Sequence, residues 1–361
     1  MKSALLCALL LSVGIAVAAE NVPVIAFDSV PNPIKMPKDM HLGEVSGVAV
    51  NSKGHIFVLH RGNTVGPAYA AAAAQLLEFD ANGNYIREIG KNLYAWSFAH
   101  AVRIDKEDNI WVTDKGSDMV IKFNPAGNVV MLFGRKQEAS DKETGPLEHP
   151  MPPLKAEDGR FRQVTDVAFD SAGNAFISDG YVNSRVAKVN KNGDWLKSWG
   201  ERGQALGELH TPHSIASDNQ GNVYVADRGN RRIQVFDGNG NVLRVIQVDV
   251  PYDASIRPAI GNMPDVAKKD DPQLGNKLMM PGAPWALCIT PGPNQVLYMA
   301  DAYPGRIYKL NLDGKVLGVF GQSGKQPKQF GWIHEIACPT ENTLYVGELL
   351  NWRVQKLLLH P

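Results

Sequence analysis

Short runs of alternating apolar and polar residues recur along most of the chain, and a polar turn separates the two runs of each pair. Clear examples are 100-HAVRIDKEDNIWVTD-114, 165-TDVAFDSAGNAFISD-179 and 213-HSIASDNQGNVYVAD-227. Alternation with a period of two, interrupted by Gly or Asn, is typical of a β-hairpin. Similar segments predict hairpins at 285–301 and 334–348, and a more divergent copy at 46–60.

A second strand–turn–strand pair follows these hairpins, as in 120-VIKFNPAGNVVMLFG-134 and 307-IYKLNLDGKVLGVFG-321. The repeating unit is therefore four antiparallel strands, present six times. One such unit cannot bury both of its faces, so the repeat predicts an all-β, six-bladed β-propeller. The last copy, ending at 352-WRVQKLLLHP-361, has only three strands. We expect the segment 23–31 to supply the missing strand and close the ring.

The first residues, MKSALLCALLLSVGIAVAAE, combine a lysine, an apolar run and a final group of small residues. Residues 16–18 have the A-x-A form of a signal-peptidase site. The apolar run is shorter than the roughly 20 residues of a spanning helix, which disfavours a membrane anchor. We therefore predict a signal peptide over 1–19 and a propeller over 20–361. The protein is expected to be exported, periplasmic or extracellular, with no membrane span.

Charge and cysteine content narrow the function further. The formal net charge is zero, which argues against a nucleic-acid partner, because such a surface needs a basic excess. Beyond the leader the cysteines are Cys288 and Cys338. In an oxidising compartment they can pair, but two buried free thiols are an equal alternative on the sequence alone. We expect a monomer.

One position near the start of the first strand of each hairpin alternates in residue type. This column holds Ser46, His100, Thr165, His213, Trp285 and His334. Alternate blades of a six-bladed ring lie about 120° apart and their innermost strands line the channel, so the three histidines should converge on the axis. A single histidine would more often be a structural residue. Three convergent imidazoles with an open position predict a catalytic zinc site at His100, His213 and His334.

Residues just after the second strand of each hairpin should face the same end of the channel. These residues are Arg61, Lys115, Gly180–Tyr181, Arg228, Ala302 and Leu349. Arginine binds carboxylates through a planar fork, and tyrosine can act as a general base when a nearby cation favours its ionised form. Each arginine alone could simply pair with an acid of a neighbouring repeat. Beside a predicted metal, we favour a catalytic role for Arg61, Tyr181 and Arg228.

The segments 178-SDGYVNSR-185, 211-TPHSIASD-218, 226-ADRGNRRIQVF-236 and 60-HRG-62 resemble NHL-repeat propellers. Within that class they resemble peptidyl-α-hydroxyglycine α-amidating lyases (peptidylamidoglycolate lyases). The resemblance implies zinc on the three histidines and Tyr181 as the base for the substrate's α-hydroxyl proton. It implies that Arg61 and Arg228 bind the substrate carboxylate or support the tyrosine. The substrate would be a small molecule or peptide ending in an α-hydroxyglycine-like group, cleaved to a primary amide and glyoxylate.

The same resemblance implies a structural calcium held by the backbone carbonyls of Val48 and Val102 and by the acid at Glu335, since hard oxygen ligands suit that ion. This chain departs from the family at three positions. Glu335 stands where the family has aspartate, Trp332 where it has methionine, and Val182 where it has a cysteine. We therefore expect the calcium geometry and the pocket shape to differ from those of the family.

Two other functions are compatible with the fold, because propellers host many activities. One is a non-catalytic NHL propeller that binds a protein or a glycan. The other is a propeller hydrolase, such as a calcium-dependent lactonase, although carboxylates and asparagine are typical of its axis. The histidine column favours an exported, zinc-dependent lyase.

Overall fold

The computed structural model describes residues 22–62, 74–136, 152–259 and 279–360. The predicted signal peptide lies outside these residues. Within the described ranges the chain forms 26 strands and one turn of 3-10 helix at Arg228–Asn230. No helix in those ranges is long and apolar enough to cross a bilayer.

Within the described residues the first strand is β1 (Ala26–Val30), and five four-stranded antiparallel sheets follow in succession. The first sheet contains β2 (Glu44–Val50), β3 (Ile56–Arg61), β4 (Ala74–Phe79) and β5 (Tyr85–Ile89). The second contains β6 (Ala99–Ile104), β7 (Ile110–Asp114), β8 (Met119–Phe123) and β9 (Val129–Gly134). The third contains β10 (Asp166–Phe169), β11 (Ala175–Asp179), β12 (Arg185–Val189) and β13 (Trp195–Trp199).

The fourth sheet contains β14 (Pro212–Ser217), β15 (Val223–Asp227), β16 (Arg232–Phe236) and β17 (Val242–Ile246). The fifth contains β18 (Ala286–Ile289), β19 (Leu297–Ala300), β20 (Ile307–Leu310) and β21 (Val316–Phe320). A short parallel pair, β22 (Gln322–Ser323) and β23 (Gln329–Phe330), leads to the last sheet. That sheet contains β24 (Ile333–Thr340), β25 (Thr343–Glu348) and β26 (Arg353–His360).

The last blade takes its fourth strand from the beginning of the chain. Strand β1 pairs antiparallel with β26, with Ala26 opposite His360 and Val30 opposite Lys356. Joining the two ends of the chain in one sheet closes the ring and covers the edge of β26. The predicted six-bladed propeller and its N-terminal closing strand are confirmed.

Burial along each blade explains the apolar pattern. The residues of β7 (IWVTD) are all buried, whereas those of the outer strand β9 (VVMLFG) are mostly exposed or half-buried. Because neighbouring blades cover both faces of an inner strand, its sequence is a nearly continuous apolar run. The first and second blades, for example, pack through Leu59, Leu76, Val112 and Ile121.

A disulfide joins Cys288 of β18 to Cys338 of β24. Of the two alternatives that the sequence left open, the structure therefore shows the paired one. The bond links the innermost strands of the fifth and sixth blades across the channel wall. It adds a covalent tie between two neighbouring blades.

Candidate metal centre and active site

The strand register shifts near the start of the innermost strand in four blades. The shifts lie between Val45 and Gly47, Ala99 and Ala101, Pro212 and Ile215, and Ile333 and Glu335. A β-bulge of this kind re-aims a side chain that would otherwise follow the regular alternation. In three of the four blades the shifted segment carries a histidine of the column, and these histidines are buried.

The structure brings His100, His213 and His334 together as a nearly equilateral triangle. Their ring centroids lie 4.8 Å (His100–His213), 4.6 Å (His100–His334) and 4.9 Å (His213–His334) apart. One ring nitrogen from each lies within 4.8 Å of the other two. Nitrogens this close could share one zinc ion, at the zinc–nitrogen distance of about 2.1 Å, after a small inward movement.

The other members of the column orient the three imidazoles. Each histidine Nδ1 lies 2.7 Å from the backbone carbonyl of the column residue in the next blade: His100 from Thr165, His213 from Trp285 and His334 from Ser46. Since a carbonyl only accepts, each Nδ1 carries the proton and each Nε2 keeps its lone pair. The buried Nε2 of His213 has no hydrogen-bond partner among the described residues.

Burial, followed by neighbouring charges, holds the pKa of all three imidazoles well below the usual 6.5. They are therefore neutral at physiological pH, which is the form that binds metals. Three neutral imidazoles fixed by second hydrogen bonds form a donor set that fits zinc with a position left open. The structure thus brings the three predicted ligands together, and the presence and identity of an ion belong to the proposal below.

Tyr181 stands at the rim of the histidine triangle. Its hydroxyl lies 3.5 Å from Nε2 of His100. The ammonium of Lys115 lies 3.7 Å from the centroid of the tyrosine ring, and the guanidinium carbon of Arg228 lies 5.4 Å from it. A cation over the face of a phenol ring stabilises the negatively charged phenolate more than the neutral phenol. Sequence reasoning placed Lys115 in this region but assigned it no role.

The two predicted arginines lie on either side of this tyrosine, each against an aromatic ring. The guanidinium of Arg228 lies 3.9 Å from the centroid of Trp285. That of Arg61 lies 3.8 Å from the centroid of Phe98, donates to the carbonyl of Ala99 at 3.0 Å, and pairs with Glu44 at 2.9 Å. Both side chains are buried or nearly so. Arg61 thus pairs with an acid of its own repeat, not with one of a neighbouring repeat.

A set of buried acids supports the loops that carry these groups. One acid ends the second strand in each of blades two to six: Asp114, Asp179, Asp227, Asp301 and Glu348. Each accepts a hydrogen bond from a backbone N–H of the segment that enters the column, such as Phe98 to Asp114 and His210 to Asp227. In the first blade His60 takes this position and accepts from the N–H of Gly43 at 3.1 Å. Sequence reasoning missed this set, although the repeated final acid of the aligned hairpins was a signal for it.

Just below the histidines, Arg103 of β6 fills the axis of the channel. Its guanidinium contacts Asp166 at 2.7 and 2.9 Å, the Ser214 hydroxyl at 3.3 Å, and the carbonyls of Leu287 and Ile336 at 3.2 Å. Its Nε also lies 2.9 Å from Oε1 of Glu335. We call Arg103, Asp166, Ser214 and Glu335 the axial cluster. Sequence reasoning did not single out Arg103, since nothing in its repeat distinguishes it.

The contacts of Glu335 do not fit the calcium site that the resemblance implies. Its Oε2 accepts from the backbone N–H groups of Val48 at 3.1 Å and Val102 at 3.2 Å, while Oε1 faces the Arg103 cation. Oε1 accepts no hydrogen bond among the described residues, but the Arg103 cation already lies beside it, which argues against a calcium ion at the same place. Burial raises the pKa of Glu335 well above its ordinary value, despite the arginine beside it.

Trp332, where the resembling family has methionine, adds an aromatic wall to the mouth of the channel. Its ring lies 5.0 Å from that of Trp285 at an interplanar angle of 88°. Trp285 in turn contacts His213 at 4.9 Å between ring centroids. The backbone of Trp332 is left-handed, with φ of 65°, and so are the equivalent residues Gln163 and Thr211 of the third and fourth blades, so this conformation belongs to the repeat.

Comparison with known proteins finds that the chain is similar to an NHL repeat and to proteins named as α-amidating enzymes. The NHL repeat profile matches residues 209–236. The chain is 26% identical to Peptidyl-glycine alpha-amidating monooxygenase A of Xenopus laevis over 86% of its own length and 31% of the relative's. It is 24% identical to Peptidyl-alpha-hydroxyglycine alpha-amidating lyase 1 of Drosophila melanogaster, over 89% of this chain and 58% of the relative.

The chain thus spans about a third of the first relative and over half of the second. Among solved structures, virginiamycin B lyase from Staphylococcus aureus superposes with a TM-score of 0.55. That comparison covers 93% of this chain and 100% of the other at 11% identity. At this identity the likeness shows the fold alone.

Proposed function

We propose that the protein is a zinc-dependent lyase that cleaves the C–N bond of a peptidyl- or acyl-α-hydroxyglycine, giving a primary amide and glyoxylate. The observation that carries the proposal is the triangle of three neutral, carbonyl-anchored imidazoles with the Tyr181 hydroxyl 3.5 Å from one of them. The similarity to proteins named as α-amidating lyases supports the same reaction.

His100, His213 and His334 would hold the zinc through Nε2. When bound, zinc acts as a Lewis acid that makes an oxygen-bound proton easier to remove. A scaffold that only binds a partner has no need for three buried imidazoles whose second nitrogens are all anchored. The arrangement therefore favours catalysis over a non-catalytic propeller.

Tyr181 would move the proton. Its phenolate, stabilised by Lys115 and Arg228, accepts the proton of the substrate's α-hydroxyl group. The electron pair left on that oxygen forms the C=O bond of glyoxylate, and the C–N bond breaks. The electron pair of the broken bond stays on the amide nitrogen, which takes the proton back from Tyr181. Every proton is thus accounted for without an added oxidant or reductant.

Arg61 and Arg228 would bind the carboxylate of the departing glyoxylate unit. Both guanidinium groups lie at the mouth of the channel, held flat against Phe98 and Trp285. A guanidinium fixed on an aromatic ring loses little conformational freedom on binding a carboxylate. They would therefore orient the substrate so that its α-hydroxyl faces Tyr181.

We also propose that the protein acts outside the cytoplasm. The predicted signal peptide and the disulfide between Cys288 and Cys338 support this location, because disulfides persist in oxidising compartments. Calcium is not required for the proposed reaction. We propose the substrate as a chemical class, an N-acyl or N-peptidyl α-hydroxyglycine.

Release of glyoxylate from α-hydroxyhippurate tests the proposal. The purified protein should release glyoxylate together with benzamide, lose this activity in a zinc chelator, and regain it when zinc is returned. A His213→Ala protein is the matched control and should stay inactive with added zinc. Absence of glyoxylate from zinc-loaded protein would refute the lyase assignment. Hydrolysis of a lactone that needs calcium would favour the propeller hydrolase instead.

A further inference from the structure

The axial cluster connects all six blades at one level of the channel. Arg103 belongs to the second blade and contacts Asp166 of the third, Ser214 of the fourth, Leu287 of the fifth, and Glu335 and Ile336 of the sixth. Glu335 completes the circle by accepting the N–H of Val48 in the first blade. One guanidinium thus lies at the centre of a hydrogen-bonded ring that spans the whole propeller.

The cluster is directly joined to the histidine layer above it. Asp166 follows Thr165, whose carbonyl accepts from His100. Ser214 follows His213, and Glu335 follows His334. A displacement of the axial cluster would therefore shift a residue adjacent to each corner of the histidine triangle.

The space around the cluster is filled. A Cβ placed on Gly47 would lie 2.7 Å from Oε2 of Glu335 and 2.9 Å from the Val102 backbone nitrogen. The first blade thus needs glycine at this position because its backbone approaches the axis closely. The Glu335 carboxylate is enclosed by Val48, Val102 and Arg103: Oε2 accepts from the two backbone N–H groups, and Oε1 lies 2.9 Å from the Arg103 cation as an ion pair.

We propose that the Arg103 guanidinium is a built-in axial cation that replaces a structural calcium ion, and that it positions the three histidines. A divalent cation on the axis would gather carbonyl and carboxylate oxygens from several blades. Arg103 gathers such oxygens from blades three to six through a planar fork with five donors. Because this cation is covalently part of the chain, the propeller does not depend on calcium.

The wild-type protein provides the first test, which is independent of the proposed reaction. After incubation with millimolar calcium and desalting, it should retain no stoichiometric calcium by elemental analysis, and calcium should not change its melting temperature. Bound calcium at one ion per chain, or a melting temperature raised by calcium, would overturn the proposal.

Substitution of Arg103 provides the second test. Arg103→Ala leaves Asp166 and Glu335 without their cation, and its melting temperature should fall by about 5 °C or more, since breaking a buried ion pair is strongly destabilising. Calcium should restore part of this loss in the variant alone. The zinc affinity of the variant should fall at least tenfold; this measurement rests on the proposed function, whereas the calcium response does not.

Arg87→Ala is the matched control, because Arg87 of β5 pairs with the buried Glu78 of β4, outside the axial cluster and outside the acids that support the site loops. It should lose stability without a calcium response and with unchanged zinc affinity. If Arg103→Ala behaves in the same way, Arg103 is an ordinary ion-pair residue and the proposal fails. Should Arg103→Ala not fold, Arg103→Lys keeps the charge but loses the fork, and it should show a smaller fall in zinc affinity; unchanged affinity would contradict the positioning role.

Discussion

Nδ1 of His334 lies 2.7 Å from the carbonyl oxygen of Ser46, across the boundary where the last blade meets the first. The other two histidines make the equivalent contact at the boundaries between the second and third blades and between the fourth and fifth. Each imidazole is therefore oriented by a blade other than its own. The triangle of nitrogens can form only when the ring is closed, which couples the candidate metal centre to the overall fold.

Removal of one imidazole should abolish zinc binding. His213→Ala leaves two nitrogens on the axis, and we expect zinc content to fall from about one ion per chain to near zero, with turnover reduced at least ~100-fold. Elemental analysis of the desalted protein together with glyoxylate release measures both effects. His360→Ala is the control, since His360 is exposed on β26 and contacts Asp28. Normal zinc content in His213→Ala would exclude His213 as a ligand.

Tyr181→Phe should separate proton transfer from metal binding. The phenylalanine keeps the ring beneath Lys115 but removes the hydroxyl near His100. We expect zinc content to stay at wild-type level and kcat to fall by about 10²- to 10⁴-fold, the usual contribution of a general base. Circular dichroism and zinc analysis serve as controls for folding. A kcat within a few fold of wild type would mean that another group takes the α-hydroxyl proton.

Trp332→Met should alter substrate binding more than chemistry. The Trp332 ring lies against Trp285 at the mouth of the channel. There it would contact the aromatic ring of bound α-hydroxyhippurate, and the loss of such a contact costs about 0.5–1.5 kcal/mol of binding free energy. We therefore expect KM for α-hydroxyhippurate to rise about 2- to 10-fold, with kcat and zinc content nearly unchanged. Comparison with an aliphatic N-acyl α-hydroxyglycine checks the cause, because that substrate should be less affected. Equal effects on both substrates would argue against an aromatic subsite.

Much of this architecture followed from periodicity. Alternation with a period of two predicted the strands, and the count of strands in the last copy predicted that residues 23–31 would close the ring. The histidine column emerged because alternate blades carry the same residue type. These features are local or repeated, and repeats convert sequence position into spatial position.

The axial cluster and the disulfide were not predicted, and the reason is physical. Arg103 makes its contacts with residues more than 60 positions away in the chain, in four other blades. Its role depends on how closely the innermost strands approach one another at the axis, and the period of the repeat does not give that distance. Cys288 and Cys338 occupy different positions in their repeats, so alignment of the copies did not pair them. Lys115 was placed correctly, but its contact with Tyr181 depends on side-chain direction.

Loss of the disulfide should destabilise the propeller. Cys288 and Cys338 are separated by 50 residues, and in the chain-entropy model a bridge across such a loop contributes about 4 kcal/mol. The double variant Cys288→Ser/Cys338→Ser should therefore unfold at lower denaturant concentration than the wild type. Zinc content in the absence of denaturant should be unchanged, since neither cysteine contacts a histidine of the triangle. An unchanged unfolding midpoint would show that the bridge adds no net stability.

His60 should make stability depend on pH in a defined window. Burial lowers its pKa from 6.5 to about 4, so the unfolded chain binds a proton between these values that the folded protein does not. The contribution of neutral His60 to the free energy of unfolding is fully present above pH 6.5. It is lost as the pH falls toward 4, and its full size is about 3 kcal/mol. Neutral His60 also accepts the N–H of Gly43, an acceptor that protonation removes.

His60→Gln should remove this component, because the glutamine carbonyl can accept from Gly43 and does not titrate. Urea titration at several pH values gives the free energy of unfolding of each protein. We expect the difference, wild type minus variant, to fall as the pH is lowered from 6.5 to 4. The three histidines of the candidate metal centre are common to both proteins and cancel in this difference. A pH-independent difference for His60→Gln would show that His60 does not carry this lowered pKa in the folded protein.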